Sequence, residues 1–461
     1  MTAKQAKKLY IKTWGCQMNV YDSHRMADVL RPLGYEQVEE PEGADMVILN
    51  TCHIREKATE KVFSDLGRLR DAKEQKEANG GDKMLIAVAG CVAQAEGEVI
   101  TSRAPCVDMV FGPQTYHELP EMVAKATGAI AKRAVYADFA AEDKFDKLPE
   151  EQASQGVTAF LSIQEGCDKF CTFCVVPYTR GAEYSRSVKS ILDEAKRLVD
   201  GGAKELTLLG QNVNAFHGEG TDGKIWGLGR LMDELSKMDA LERIRYTTSH
   251  PRDVQDDLIE AHKNNPKVMP FIHLPVQSGS DAILKAMNRK HTADDYRRII
   301  ERFVTARPDI AFSSDFIIGF PGETEQDFED TLKLATEMPY GSVYSFKYSA
   351  RPGTPAANMK NLIAEKVKTE RLAKFQNAMI LKQKSFNESF IGKTVNVLFD
   401  RKPEKQKDGQ MGHLSGRSQY NQSVHIYLNP EQSEKIYGKI LPVMVTEAYP
   451  NSLTGELTGK A

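Results

Sequence analysis

The fold is constrained most by one pattern: short apolar runs alternate with amphipathic segments from Leu9 to Tyr348. Runs this short, apolar on both faces, suit buried parallel strands joined by crossover helices. The first three end alike, as L-Y-I-K-T-W-G-C at Cys16, D-M-V-I-L-N-T-C at Cys52 and M-L-I-A-V-A-G-C at Cys91. A parallel sheet brings all its strand C-termini to one edge, where ligands bind. Cys16, Cys52 and Cys91 would then converge into a three-thiolate site; the alternative is that each is a small buried hydrophobe. Cys106 in R-A-P-C-V-D-M-V-F does not fit the pattern and reads as core. His53 could be a ligand but reads rather as a helix-start residue beside the site.

Six further runs follow: 159–163, 205–210, 244–249, 271–276, 314–320 and 343–348, with helix-like segments between them. Six βα units make a partial (β/α)6 barrel, whose chemistry sits at the C-terminal ends of the strands. Directly after the first run comes G-C-D-K-F-C-T-F-C, Gly166 to Cys174. Three cysteines in C-x3-C-x2-C suit a four-iron cluster with one iron left open, since a closed one takes four. A zinc knuckle and a redox pair at Cys171 and Cys174 are the alternatives. Zinc wants a fourth ligand nearby, and the next histidine, His217, is distant. The other strand ends offer Gln211 and Asn212, Ser249 and His250, Gln277 and Ser278, then Gly319, Gly322 and Glu323. Each could touch a bound ligand, or be an ordinary polar βα turn.

The acidic, turn-rich stretch at 138–156 reads as a linker between an α/β domain at 8–137 and the barrel at 157–386. A long Lys/Glu/Gln-rich helix from Ile363 leads out of the barrel. Residues 387–457 turn to short strands separated by Gly and Asn, as in a small antiparallel barrel of the oligonucleotide-binding sort. From Ile363 onward 15 Lys/Arg face 10 Asp/Glu, in a chain of net charge −3. A polyanion would meet this end first. Lys393, Arg401, Lys402, Lys405, Lys407 and Arg417, with Tyr420 and Tyr427, could contact RNA or form a solvated face. His117-Glu118 lacks the second histidine of a zincin, and Gly392-Lys393-Thr394 lacks the upstream glycine of a phosphate loop, Asn387 standing there. The basic N-terminus has no signal-like apolar run, and no stretch nears the ~20 apolar residues of a membrane span. A cytoplasmic chain with reduced thiols is expected, which favours metal binding over disulfides.

Gly166 to Cys174 resembles the cluster loop of radical S-adenosylmethionine (SAM) enzymes. T-W-G-C-Q-M-N, N-T-C-H-I-R-E-K-A and V-A-G-C resemble the N-terminal domain of methylthiotransferases. C-T-F-C-V-V-P-Y-T-R-G, Y-T-T-S-H-P, H-L-P-V-Q-S-G-S and D-F-I-I-G-F-P-G-E-T look like the tRNA-modifying MiaB branch. The likeness runs from Lys8 to Leu457, with the last segment similar to an RNA-binding TRAM domain. Ala182 and Ser187 depart from it, standing where Arg and Pro are expected. The resemblance implies two [4Fe-4S] clusters, one on Cys167, Cys171 and Cys174 that binds and cleaves SAM, and an auxiliary one on Cys16, Cys52 and Cys91. It makes the βα-turn residues candidates for SAM contact. It further implies methylthiolation of N6-dimethylallyladenosine at C2, beside the anticodon of tRNA, with a flavodoxin-type electron donor and a monomeric enzyme. The same chemistry on a threonylcarbamoyladenosine or a ribosomal-protein aspartate, and a noncatalytic iron–sulfur RNA-binding protein, are the rival expectations.

Overall fold

A computed structural model describes residues 6–52, 57–128, 135–136, 144–145, 147–401 and 412–459. The N-terminal region is a six-stranded, wholly parallel sheet. Its strands are β1 (Lys7–Thr13), β2 (Tyr35–Gln37), β3 (Met46–Thr51), β4 (Leu85–Gly90), β5 (Met109–Phe111) and β6 (Val135–Tyr136), in the order β2-β1-β3-β4-β5-β6. Crossover helices α1 (Gln17–Leu30), α2 (Lys57–Ala78), α3 (Cys91–Arg103) and α4 (Leu119–Thr127) cover its faces. β3 and β4 are buried along their whole lengths, which is why their sequences do not alternate. β2 and β5 are three residues each, too short to leave a pattern.

The central region forms two three-stranded parallel sheets. One is β7 (Thr158–Ser162), β8 (Glu205–Leu209) and β9 (Arg243–Tyr246); the other is β10 (Phe271–His273), β11 (Ala311–Ile318) and β12 (Tyr340–Lys347). A parallel bridge from Ile244 to Val268 joins them. The result is the expected open six-stranded barrel, wrapped by α5 (Val188–Asp200), α6 (Leu228–Leu235), α7 (Asp256–Asn264), α8 (Ala293–Ala306), α9 (Glu325–Glu337) and α10 (Glu365–Glu388). Between these helices and the strands lies a large apolar core, from Leu161 and Leu208 to Phe316 and Phe375.

The C-terminal barrel closes on itself in the order β13-β14-β15-β17-β16. Its strands are β13 (Thr394–Leu398), β14 (Gly412–Ser418), β15 (Ser423–Leu428), β16 (Ile440–Ala448) and β17 (Ser452–Leu457). It is not fully antiparallel, because β15 and β17 run parallel. Five strands cannot close with every neighbour reversed, so one pair must agree in direction. Arg243 and Arg245 at β9 fasten this barrel to the central one. Arg243 donates to the Arg417 and Asn396 carbonyls, both at 2.9 Å, and Arg245 to Ser418 and Gln419 at 2.7 and 3.1 Å. Asn387, near the end of α10, donates to the carbonyl of Tyr449 at 2.7 Å. Among the described residues, no helix is long and apolar enough to cross a membrane.

Candidate active site: two cysteine sets across a buried charge network

Register alone brings the first cysteine set together. Thr13 pairs with Asn50 and Thr51 with Gly90, so three neighbouring strands end level. Cys16, Cys52 and Cys91 follow directly. Gly15, at φ +125°, lets the first turn lie against the second; a Cβ there would sit 2.3 Å from Cys52 Cβ. The Cys16 thiol reaches the Cys52 side chain, which holds its pKa down at about 6, helped by Arg180. Burial pushes the Cys91 thiol up, while Arg180 bonds to it. Cys106 is partly buried at the rim of the sheet core rather than within it, its thiol 3.8 Å from the Leu66 carbonyl. His53 lies outside the described residues.

The second set sits in the loop after β7. Burial pushes Cys167 up to about 11 and Cys174 to about 12, and the nearby Cys171 adds to both. Arg289 donates to Cys171 Sγ at 3.5 Å. The backbone N–H of Cys167 bonds Gly181 O at 3.3 Å. Gly166, at φ +73°, packs so closely that a Cβ would lie 1.8 Å from Ala182 O. Thus 180–182 is the wall between the two sets: its backbone holds the Cys167 loop and its Arg180 side chain faces Cys16 and Cys91. Among the described residues no three His, Cys, Asp or Glu side chains are drawn together as around a single ion. A polynuclear cluster is several ångströms across and keeps its thiolates farther apart than one ion does. Three thiols per set, with an arginine beside each set, are donors of the right chemistry for such an anionic group.

Arg180 is not evident as a functional residue from sequence. It is 2% exposed and bonds Glu165 at 2.6 Å and Asp22 of α1 at 2.7 Å. Lys144, wholly buried, pairs with Glu165 and lies 4.8 Å over the Tyr116 ring. Lys144 comes from the stretch that reads as a turn-rich linker. The one signal in the sequence is the T-R-G that closes the cysteine motif, and it does not say that its arginine is buried.

The βα-turn candidates divide into two groups. Gln211 and Asn212 serve the cysteine loop directly. Gln211 Oε1 accepts from Gly166 N at 2.5 Å, and Asn212 Nδ2 donates to Asp253, which also takes Lys169 of the loop at 2.8 Å. Ser249 and His250 lie next to them, tied by Val213 N to Thr248 O at 2.8 Å. Asn212 Oδ1, Ser249 Oγ and His250 Nε2 are buried and lack a hydrogen-bond partner. Orphaned polar atoms beside a cysteine loop fit a polar ligand such as the amino-acid end of SAM. Burial, with Arg289 and His291 near, pushes His250 far below its ordinary value, so its imidazole is neutral.

The other turns are committed to the scaffold. Ser278 Oγ meets Thr331 of α9 at 3.0 Å. Both Glu323 oxygens accept from Gly319 N at 3.0 Å, and Arg371 of α10 pairs with the same carboxylate at 2.9 Å. Gln277, at φ +76°, bonds β11 through its backbone. At Gly322 a Cβ would meet nothing within 4 Å, so space there is open. Of the two departures from the family pattern, Ser187 caps α5 by accepting from Ser190 N, and Ala182 is exposed.

A cavity of about 660 Å³ opens between the central and C-terminal barrels, lined by Gln17, Arg245, Tyr344, Arg417 and Tyr420 among others. Of the proposed RNA contacts, Tyr420 is drawn inward, its hydroxyl on Asp309 at 3.2 Å and its ring 5.1 Å from Phe390. Arg417 donates to Asn421 O at 3.1 Å. Lys393 lies over Phe390, and Arg401 is exposed. Lys402, Lys405 and Lys407 lie outside the described residues. Tyr427 stays exposed, with its ring 5.8 Å from that of His413.

Residues 8–112 match the model of an uncharacterized protein family, UPF0004, and residues 161–335 that of the radical SAM superfamily. Among solved structures, the fold is similar to the radical S-adenosylmethionine methyltransferase TsrM of Kitasatospora setae. The TM-score is 0.58 at 13% identity, over 77% of each chain. It is also similar to the cobalamin-dependent S-adenosylmethionine radical enzyme OxsB, with TM-score 0.52 at 15% identity, over 84% of this chain and 56% of that one. A tRNA-2-methylthio-N(6)-dimethylallyladenosine synthase of Maricaulis maris is 57% identical over 458 residues, 98% of both chains. At that identity and coverage the chain belongs to the family of tRNA-2-methylthio-N(6)-dimethylallyladenosine synthases, which are radical SAM enzymes.

Proposed function

We propose that the protein methylthiolates C2 of N6-dimethylallyladenosine beside the anticodon of tRNA, as a radical SAM enzyme with two [4Fe-4S] clusters. The observation that carries this reading is the pair of cysteine sets on opposite sides of 180–182. In this reading Cys167, Cys171 and Cys174 hold the SAM-binding cluster, and Cys16, Cys52 and Cys91 the auxiliary one. Bound there, the clusters and SAM supply the electron, the radical, the sulfur and the methyl group that an inert aromatic C–H bond requires.

The protein's own residues do the rest. Arg180 sets positive charge beside Cys16 and Cys91 and ties them to Glu165, the residue before Gly166. Arg289 does the same beside Cys171. Gln211 fixes the start of the cysteine loop, and Lys169 and Asp253 hold its side. Asn212, Ser249 and neutral His250 offer polar atoms to SAM. The substrate base lies in a single-stranded loop, so it can be splayed out without melting a duplex. The C-terminal barrel would contact the RNA backbone through Lys393, Arg401, Lys402 and Arg417. Arg417 also borders the cavity. Domain limits of 8–137, 157–386 and 387–457, a cytoplasmic monomer and a flavodoxin-type donor belong to the same proposal.

Nucleoside mass spectrometry of tRNA from a strain lacking this gene, with and without the gene restored, tests it. The methylthiolated dimethylallyladenosine should vanish and return; an unchanged nucleoside profile sinks the reading. Cys52→Ala should keep SAM cleavage and lose thiolation. A methylthiolated product from that variant would refute the auxiliary-site assignment.

A further inference from the structure

The open edge of the central barrel presents two aromatic side chains that the protein leaves uncovered. Tyr344 is 54% and Phe346 48% exposed, both on β12. β12 pairs with β11, but its register slips between Phe312 and Ser313, so Phe312 faces Tyr340 while Ser313 faces Ser342. The slip reverses which residues point inward, as bulges do. Before it, Tyr340 lies in the apolar core. After it, Asp315 pairs with Tyr344 and Ile317 with Phe346, on the face away from that core. The intervening Phe316 stays in the core, its ring 4.9 Å from Phe375.

This face looks into the barrel. Tyr344 lines the 660 Å³ cavity, and its ring meets His273 of β10 at 6.2 Å. His273 in turn bonds Ser313 at 2.8 Å and lies 3.6 Å from Asp315. At the Phe346 rung, Ile317 packs with the cluster that contains Phe173, inside the second cysteine set. The wall thus runs from the cavity up to the cysteine loop. Its upper rung, Phe346 and Ile317, is apolar, and its lower rung sets Tyr344 beside the polar group of His273, Ser313 and Asp315. The arginines that line the same cavity are engaged elsewhere, Arg245 on Glu205 and on carbonyls of the C-terminal barrel, Arg417 within that barrel.

We propose that Tyr344 and Phe346, with Ile317, form the seat for the dimethylallyl group and so determine which N6-substituted adenosine is accepted. The proposal rests on the function proposed above. A branched five-carbon chain is neutral and apolar, and would be taken out of water between two rings. A substituent ending in a carboxylate would bring a second carboxylate up to Asp315, which already takes His273 at 3.6 Å, a repulsive element of the kind that specificity requires.

The test uses the full-length, anaerobically reconstituted protein without reductant. Two synthetic anticodon stem-loop RNAs, identical except for the dimethylallyl group, are bound to it and followed by fluorescence anisotropy. The intact protein should prefer the alkylated RNA by about tenfold or more. In Tyr344→Ser/Phe346→Ser the preference should fall to about one, whereas Phe346→Leu should keep most of it. Equal binding of both RNAs by the intact protein, or an undiminished preference in the double variant, overturns the seat. Iron content and thermal midpoint are read for each variant. If the double variant is unfolded, Phe346→Ser against Phe346→Leu decides by the same criterion. If the nucleoside profile responds to the gene while the preference survives mutation, the seat fails and the proposed function stands.

Discussion

Arg180 is the residue on which the two cysteine sets depend together. It is enclosed by Asp22 and Glu165 on one side and by Cys16 and Cys91 on the other. Removing one partner from a buried ion pair leaves an uncompensated charge, which costs about 3–5 kcal/mol. Arg180→Met should therefore lower unfolding free energy by about that much in urea titration. Adding Asp22→Asn should restore part of it, because Lys144 then has the Glu165 carboxylate alone to balance. A loss within the ±0.5 kcal/mol typical of surface substitutions would show that the network carries little energy. The six thiols are legible as candidates because spacing and strand ends are visible in a sequence. The counter-charges are not, since Asp22, Lys144, Glu165 and Arg180 are scattered and only folding joins them.

Among the elements, α1 has the most unusual task. Ten of its fourteen residues are buried, including Asp22, Arg25 and Asp28. Met26, Val29 and Leu30 pack on the N-terminal sheet, whereas Met18 and Tyr21 pack with Leu209 of β8. The Tyr21 hydroxyl donates to Glu194 of α5 at 3.2 Å. Burial alone would raise the Glu194 carboxyl, but Arg186 and Arg25 draw it below its ordinary value. A carboxyl depressed in the fold stabilises above its unfolded pKa of about 4.3, and that stability is lost as pH falls through the lower folded value. Denaturation midpoints should hold from pH 7 to about 5 and decline below. In Glu194→Gln the acid decline should be shallower, and identical slopes would exclude Glu194 as its source.

A helix so charged gives no amphipathic signal, so nothing in its sequence says that α1 joins two regions. The strand pattern is legible because buried parallel strands are apolar throughout. The slip in β12 that exposes Tyr344 and Phe346 is not, because it depends on pairing with β11. The parallel pair in the last barrel follows from counting five strands, two of which, β14 and β17, leave no apolar run to count.

At the scale of the whole molecule, side-chain bonds hold the C-terminal barrel to the central one. Arg243 and Arg245 reach four of its carbonyls and Asn387 two more, and Tyr420 of the barrel reaches Asp309. Arg243→Ala/Arg245→Ala should free the barrel to swing on α10, which X-ray scattering would register as a larger radius of gyration. On the proposed function both barrels contact RNA, and two such surfaces held in fixed relation bind more tightly than the same surfaces on a loose joint. tRNA affinity should then fall roughly tenfold to hundredfold, and binding should weaken with added salt in both proteins. Unchanged scattering and affinity would mean that α10 and the Tyr420–Asp309 bond set the geometry without the two arginines.

The burial of α1 also bears on ancestry. A helix that begins beside a thiol at the rim of one sheet and beds its Tyr21, Asp22 and Arg25 against Glu194, Arg180 and Pro149 cannot be exchanged by itself. Recombination that split the gene after the N-terminal sheet would leave Tyr21 and Asp22 without mates in any recipient barrel lacking the counterparts of Glu194 and Arg180. Substitutions along α1 should therefore track those in 180–194 when sequences of the family are aligned.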